Sequence, residues 1–309
     1  MVVKPLIIWR FRDGKPGHEQ QSLGLINALG ELLPVAVNDF DVREHPVGIA
    51  DWMLGRFPAG LARRRPDFLI GAGHATHLAV LAAKKAVGGK AIVLMKPSLP
   101  AFLFDLVIVP EHDGLTPGAG VIVTRGALNT MRPGEKKPDS VLILLGGESK
   151  HVHWDNEVVL QQVSAIVATF KPGQLWCITN SRRTPDTLSA ELAQRYGERF
   201  QPWSECPPGW LAQRLASTET VWVSADSASM IYEALSAGCR VGVLELPEAK
   251  GSGRVLAGVR KMADAGQLAY FSSCQGHSDA LPSPTLALNE ARLAAQKVLE
   301  RFPLAEDLS

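Results

Sequence analysis

The chain has 309 residues, 46% hydrophobic, 20% charged and 6% aromatic, which fits about two domains at roughly 150 residues each and excludes a disordered protein or a small disulfide-stapled scaffold. Lysine plus arginine number 32 against 31 acidic residues, for a net charge of +1, so no electrostatic case exists for nucleic acid as a partner. The halves differ: residues 1–137 hold 17 basic and 12 acidic side chains, net +5, while 138–309 hold 15 and 19, net −4, and the basic half suits an anionic surface or substrate.

No stretch approaches the roughly 18 continuous apolar residues of a membrane span, and the start runs straight into a strand pattern, so a cytoplasmic protein without a signal peptide is expected. Cys177, Cys206, Cys239 and Cys274 form no C-x-x-C pair and read as buried reduced thiols.

Apolar runs without strict alternation, each ending in a glycine-rich turn before an amphipathic stretch, predict βα units and parallel sheets covered on both faces. In the first half these strands are Leu6–Trp9, Phe68–Ile70, Ala91–Met95, Leu106–Val109 and Gly120–Val123, with helices beginning near His18, Pro46 and Thr76. Arg132–Ser140, charged and broken by two prolines, reads as a linker. A second series follows, with strands at Val141–Leu145, Leu175–Thr179, Thr220–Val223, Val241–Leu244 and Leu268–Tyr270 and helices near 154–170, 186–196, 227–237 and 253–264. After Pro284 the spacing predicts one long terminal helix. The fold class is therefore α/β: Rossmann-like domains over 1–137 and 138–282, then a helix and tail over 283–309, with a ligand cleft expected at the carboxyl ends of the strands.

Candidate chemistry sits in the loops. After the first strand, Gly14 and Gly17 permit close backbone approach to an anion, and His18 at the helix start, beside Asp13 or Glu19, has the range to remove a hydroxyl proton. Gly71, Gly73, His74 and Thr76 repeat the design. His74 and His77 share a helical face, and His151 and His153 lie in ESKHVHW, but no acidic or thiol partner has ligand spacing, so no metal is expected. Gly146, Gly147 and Ser149 end the first strand of the second half, and Thr179, Ser181, Arg182 and Arg183 follow the next, a guanidinium-rich turn suited to phosphate oxygens. In TVWVSADSASMIYEALSAG a strand delivers Ser224, Asp226, Ser227, Ser229 and Met230 to a helix start able to hold a diphosphate, and Glu233, six residues after Ser227, is placed to reach a ribose. Each loop also has a plain reading as a capped helix or a solvated turn.

Together RDGKPGHEQQSLGL, PDFLIGAGHAT, FDLVIVPEHD, TRGALN, LLGGESKH, TNSRRTPD and SADSASMIYEALSAG resemble the Elm-type mitochondrial fission factor family, comprising the plant factor and its bacterial relatives. The resemblance spans about Arg10 to Leu246 and implies a GT-B glycosyltransferase-like fold, similar to the transferase that adds N-acetylglucosamine to lipid-linked peptidoglycan precursors. It implies an acceptor-side first domain with a glycine loop ending in His18, and a nucleotide-binding second domain in which Glu233, after Ser227 and Ser229, meets the ribose. Two departures stand out: the loop is DGKPGH rather than a glycine run, and the SRRTP segment matches no exact counterpart in that transferase.

The leading expectation is inverting, metal-independent transfer from a nucleotide-diphosphate sugar to an acceptor left open, with no cofactor. His18 or a neighbouring carboxylate is the base, and Arg182, Arg183, Ser227 and Ser229 steady the leaving diphosphate. The alternative is a non-enzymatic scaffold, since the plant member recruits a dynamin-related protein to the mitochondrial surface. A nucleotide-sugar epimerase is the third reading; its NAD-dependent form lacks both the G-x-G-x-x-G turn and a Tyr-x-x-x-Lys pair. Peripheral membrane contact through Arg63–Arg65 and the basic half is a further expectation. No oligomeric state follows from the sequence.

Overall fold

The computed structural model of the chain describes residues 4–249, 253–284 and 288–303, and at 254 and 255 the backbone only. It divides into two compact units, residues 1–130 with 289–309, and residues 131–288.

The first unit runs β1 (Leu6–Arg12), α1 (Pro16–Gly30), β2 (Val35–Asp41), α2 (Ile49–Leu54), β3 (Phe68–Ala72), α3 (His77–Val87), β4 (Lys90–Leu94), β5 (Leu106–Pro110) and β6 (Val121–Thr124). Its six strands are parallel in the order β2-β1-β3-β4-β5-β6. Both faces are covered, which is why β1 is apolar at every step from Leu6 to Trp9. Leu6 and Ile8 pack with Leu25 and Leu29 of α1, and Ile7, Trp9 and Phe11 pack with Val80 of α3 and with Phe57. The chain moves outward from β1 to β2, then returns to place β3 on the other side of β1. That reversal is the switch point at which open α/β sheets leave a crevice for ligands.

The second unit runs β7 (Lys137–Leu144), α4 (Asn156–Ala168), β8 (Trp176–Thr179), α5 (Asp186–Tyr196), β9 (Phe200–Gln201), α6 (Trp210–Ser217), β10 (Thr218–Ser224), α7 (Ala228–Ser236), β11 (Arg240–Leu244), α8 (Gly253–Asp264), β12 (Ala269–Tyr270) and α9 (Phe271–Cys274). The order β12-β11-β10-β7-β8-β9, again all parallel, puts its switch point between β7 and β10. The last helix, α10 (Glu290–Arg301), belongs to the first unit. Its Ala291, Ala294, Ala295 and Val298 join the α1 side of that core, and a Glu290 carboxylate oxygen accepts from the Arg125 amide at 2.9 Å.

The α/β class and the parallel sheets agree with the sequence reading; several details differ. The expected linker at Arg132–Ser140 is half strand: β7 begins at Lys137 and lies centrally in its sheet. Pro138 and Asp139, the latter at φ +56°, are tolerated because the β10 ladder skips there, pairing Thr218 with Lys137 and then Thr220 with Val141. Strand β2 escaped the pattern because VAVNDFD is an edge strand with only Phe40 buried. The terminal helix runs 12 residues, started by the Asn289 side chain accepting from the Arg292 amide at 3.2 Å, and residues 285–287 of the predicted longer helix lie outside the described ones. Cys239 and Cys274 are buried, whereas Cys177 and Cys206 are only half-buried.

Candidate functional site

At the first switch point, β1 delivers Arg12 and Asp13 to a turn that Gly14 completes at φ +76°. Helix α1 then opens with Pro16 at its first turn, two residues earlier than predicted. Asp13 is buried and organises the turn. One of its oxygens accepts from the Lys15 amide at 3.1 Å, and the other lies 2.8 Å from Nδ1 of His18. The carboxylate only accepts, so Nδ1 carries a hydrogen, and in the neutral ring the lone pair then lies on Nε2. Nε2 makes no hydrogen bond to any described residue, and the His18 side chain is 18% exposed against 3% for Asp13. Of the two carboxylates considered from sequence, Asp13 is the partner of His18. Glu19 instead accepts from Arg12 at 2.9 Å, while its carbonyl takes a bond from the buried Arg10 guanidinium, also 2.9 Å.

The loop after β3 closes against the same ring. Gly73 stands at φ +82°, and a Cβ there would lie 2.2 Å from Nδ1 of His18. Thr76 donates to the Gly73 carbonyl at 2.8 Å. Gly71 lies inside β3, where a Cβ would meet the Thr76 hydroxyl at 2.5 Å, so it serves close packing. Gly17 lies in α1 with open space around it. His74 is exposed on the turn, whereas His77 is buried against Phe104 and 3.3 Å from the Ser98 hydroxyl. Burial drives His77 down to about 4. Among the described residues, no three His, Cys, Asp or Glu side chains gather as a metal set.

At the second switch point, Asp226 ties the β7 and β10 loops together. Its carboxylate accepts from the Ser224 hydroxyl at 2.6 Å, the Gly147 amide at 3.0 Å and Arg183 at 2.8 Å. The Ser224 hydroxyl in turn accepts from the Gly146 amide at 2.7 Å. Burial pushes the Asp226 carboxyl above its ordinary value against the pull of those three donors. Gly146 and Gly147 are required by space: a Cβ on the first would strike the Asp226 carboxylate, and one on the second the Arg183 carbonyl, each 2.0 Å away.

This network consumes several residues assigned to phosphate. Arg183 is anchored to Asp226 and to the carbonyls of Gly147 and Glu148 at 3.2 and 3.0 Å. Ser181 and Thr184 donate to the Gly146 carbonyl, Thr179 is buried at the end of β8, and Ser149 accepts from the His151 amide at 3.2 Å. The groups this network does not tie up are Ser227, which is buried and does not cap α7 with its side chain, the exposed Ser229 and Arg182, and the half-buried Met230. Glu233, one turn further, is pushed up to about 7 by burial.

The model of a family described as mitochondrial fission ELM1 matches residues 16–302. The chain belongs to the mitochondrial fission ELM1 family. No curated relative matches its sequence. Among solved structures, this ELM1-family chain is similar to a Listeria monocytogenes protein assigned as a UDP-N-acetylglucosamine 2-epimerase, with TM-score 0.61 and 12% identity over 96% of this chain and 95% of that one. It is also similar to the glycotransferase of kitacinnamycin, with TM-score 0.51 and 16% identity over 97% and 100%. At such identities the likeness concerns the fold, which is of the GT-B glycosyltransferase type.

Two contributors in this ELM1-family chain escaped the sequence reading. Arg43, on the turn after β2, fills the space where Gly14 would carry a Cβ, its guanidinium 2.2 Å from that position. Nothing local marked it, because β2 itself was missed. Trp203 is 44% exposed, lies 5.8 Å from the Arg182 guanidinium, and is fixed through its amide, which donates to the buried Asn180 side chain at 2.8 Å. In the sequence it is marked only as a tryptophan directly after Pro202.

Proposed function

We propose that this protein transfers a sugar from a nucleotide-diphosphate sugar to an acceptor hydroxyl, without a metal and with inversion. The observation that carries this reading is the Asp13–His18 pair at the first switch point. Asp13 orients the imidazole and steadies the imidazolium that forms, while Nε2, with its free lone pair, takes the acceptor proton. A base that activates the acceptor directly, with no covalent intermediate, gives inversion. In the second unit, the amides at the α7 start and the hydroxyls of Ser227 and Ser229 would hold the diphosphate, and Glu233 the ribose. Arg182 is the remaining guanidinium for the leaving group, since Arg183 holds Asp226. Transferases of this fold type support the donor class.

A second reading, a nucleotide-sugar epimerase, is favoured by the Listeria neighbour. Missing NAD motifs count only against an NAD-dependent enzyme, and His18 could equally move a carbon-bound proton. The fission family favours a third reading, a non-catalytic scaffold.

The deciding experiment screens nucleoside diphosphates and nucleotide-sugars by thermal shift; a ligand at 100 times its Kd stabilises by about 2.7 kcal/mol. The expected result is a selective shift, lost in Glu233→Ala and retained in His18→Ala, with nucleotide-sugar consumption falling roughly 10²–10⁴-fold in the latter. Solvent deuterium entering the sugar without an acceptor would establish the epimerase. Absence of any shift would leave the scaffold.

A further inference from the structure

Helix α2 is inside out. None of its residues is buried, and its exposed positions are Ile49, Ala50, Met53 and Leu54, with Ile49 at 62%, Met53 at 66% and Leu54 at 60%. At 100° per residue these four fall within one arc of about 140°. The helix's acidic residue, Asp51, caps its own start by accepting from the Gly48 amide at 2.9 Å. A soluble surface normally turns such an arc inward.

The chain after α2 adds Leu61, 78% exposed, and four exposed arginines, Arg56, Arg63, Arg64 and Arg65. None of the four has a carboxylate within ion-pair reach among the described residues, in contrast to Arg43 with Asp41 and Lys84 with Asp105. The segment is firmly seated nonetheless. Lys85 of α3 donates to the Met53 carbonyl at 2.7 Å, and the Trp9 indole donates to the Arg64 carbonyl at 3.0 Å. Apolar side chains and unpaired guanidinium groups are thus held side by side over residues 49–65.

We propose that α2 and the loop to Arg65 form a docking face for an anionic lipid bilayer, with the apolar arc entering the acyl boundary and the arginines meeting headgroup phosphates. Charge complementarity selects this occupant. Residues 49–65 carry four arginines against one aspartate, and a lipid surface offers continuous negative charge to three consecutive cations. The inference is independent of the proposed transferase chemistry.

The test is sedimentation of the full chain with vesicles of phosphatidylcholine, alone or mixed with phosphatidylglycerol. The expected result is pelleting with the mixed vesicles only, weakened by salt. Met53→Glu with Leu54→Glu should abolish it, and each of Arg63→Gln and Arg65→Gln should weaken it about fivefold. All four positions are exposed, so an unchanged thermal melt confirms that the variants fold. No pelleting, or equal pelleting by the variants, overturns the proposal. Concentration-dependent self-association lost in the Met53/Leu54 variant also overturns it, assigning the face to a second copy.

Discussion

Gly73 and His18, fifty-five residues apart in sequence, are in direct apposition: a single added carbon on Gly73 would stand 2.2 Å from the ring nitrogen that Asp13 holds. The glycine is demanded twice over, by this proximity and by its φ of +82°. Gly73→Ala is therefore expected to destabilise the protein by about 1–3 kcal/mol and to drive the imidazole off Asp13. Gly17→Ala is the control. It lies in α1 with nothing within 4 Å of the new carbon and should stabilise by about 0.5–1 kcal/mol. Urea unfolding reads both energies, and ¹⁵N shifts of the His18 ring read the displacement. Equal stability and unchanged shifts in Gly73→Ala would contradict the geometry.

Sequence patterning located these loops because parallel strands buried on both faces leave an unmistakable apolar run, as in Leu6–Trp9 and Val221–Val223, and each must end where the next turn begins. It did not resolve which polar side chains in the loops are already committed. Arg183 and Ser181 look like phosphate ligands in TNSRRTPD; only the fold shows the first gripping Asp226 and the second the Gly146 carbonyl. Strand order was likewise unreadable, since nothing local says that β3 returns beside β1. Edge strand β2 and the short β9 bury too little to show a period.

Asp226 offers a second prediction. Its side chain is fully buried, and Asn at that position would turn an amide toward at least one of the three donors it now accepts from. Asp226→Asn should cost about 2–4 kcal/mol. Arg183→Ala should cost less, about 1–2 kcal/mol, because the guanidinium is 42% exposed and Ser224 and Gly147 still serve the carboxylate. The two losses should fall short of additivity in a double-mutant cycle. Strict additivity in urea unfolding would mean that the loops after β7 and β10 are not coupled through this pair.

The two units should respond oppositely to pH. His77, in the first, is held near 4 instead of its usual 6.5 by burial, with His74 adding to the depression. Its contribution is fully present above about 6.5 and is lost as pH falls toward 4, because the unfolded chain then binds the proton that the folded one refuses. Glu233, in the second, is raised by burial from 4.5 to about 7. Its folded state holds a proton that the unfolded chain releases, so stability is greatest below about 4.5 and declines as pH rises to 7. Each change amounts to about 3 kcal/mol. Urea unfolding from pH 4 to 8 should therefore show Glu233→Gln gaining on the parent as pH rises, and His77→Asn, whatever its cost in packing, gaining on the parent as pH falls. Differences from the parent that stay flat across that range for either variant would mean that the buried group titrates normally.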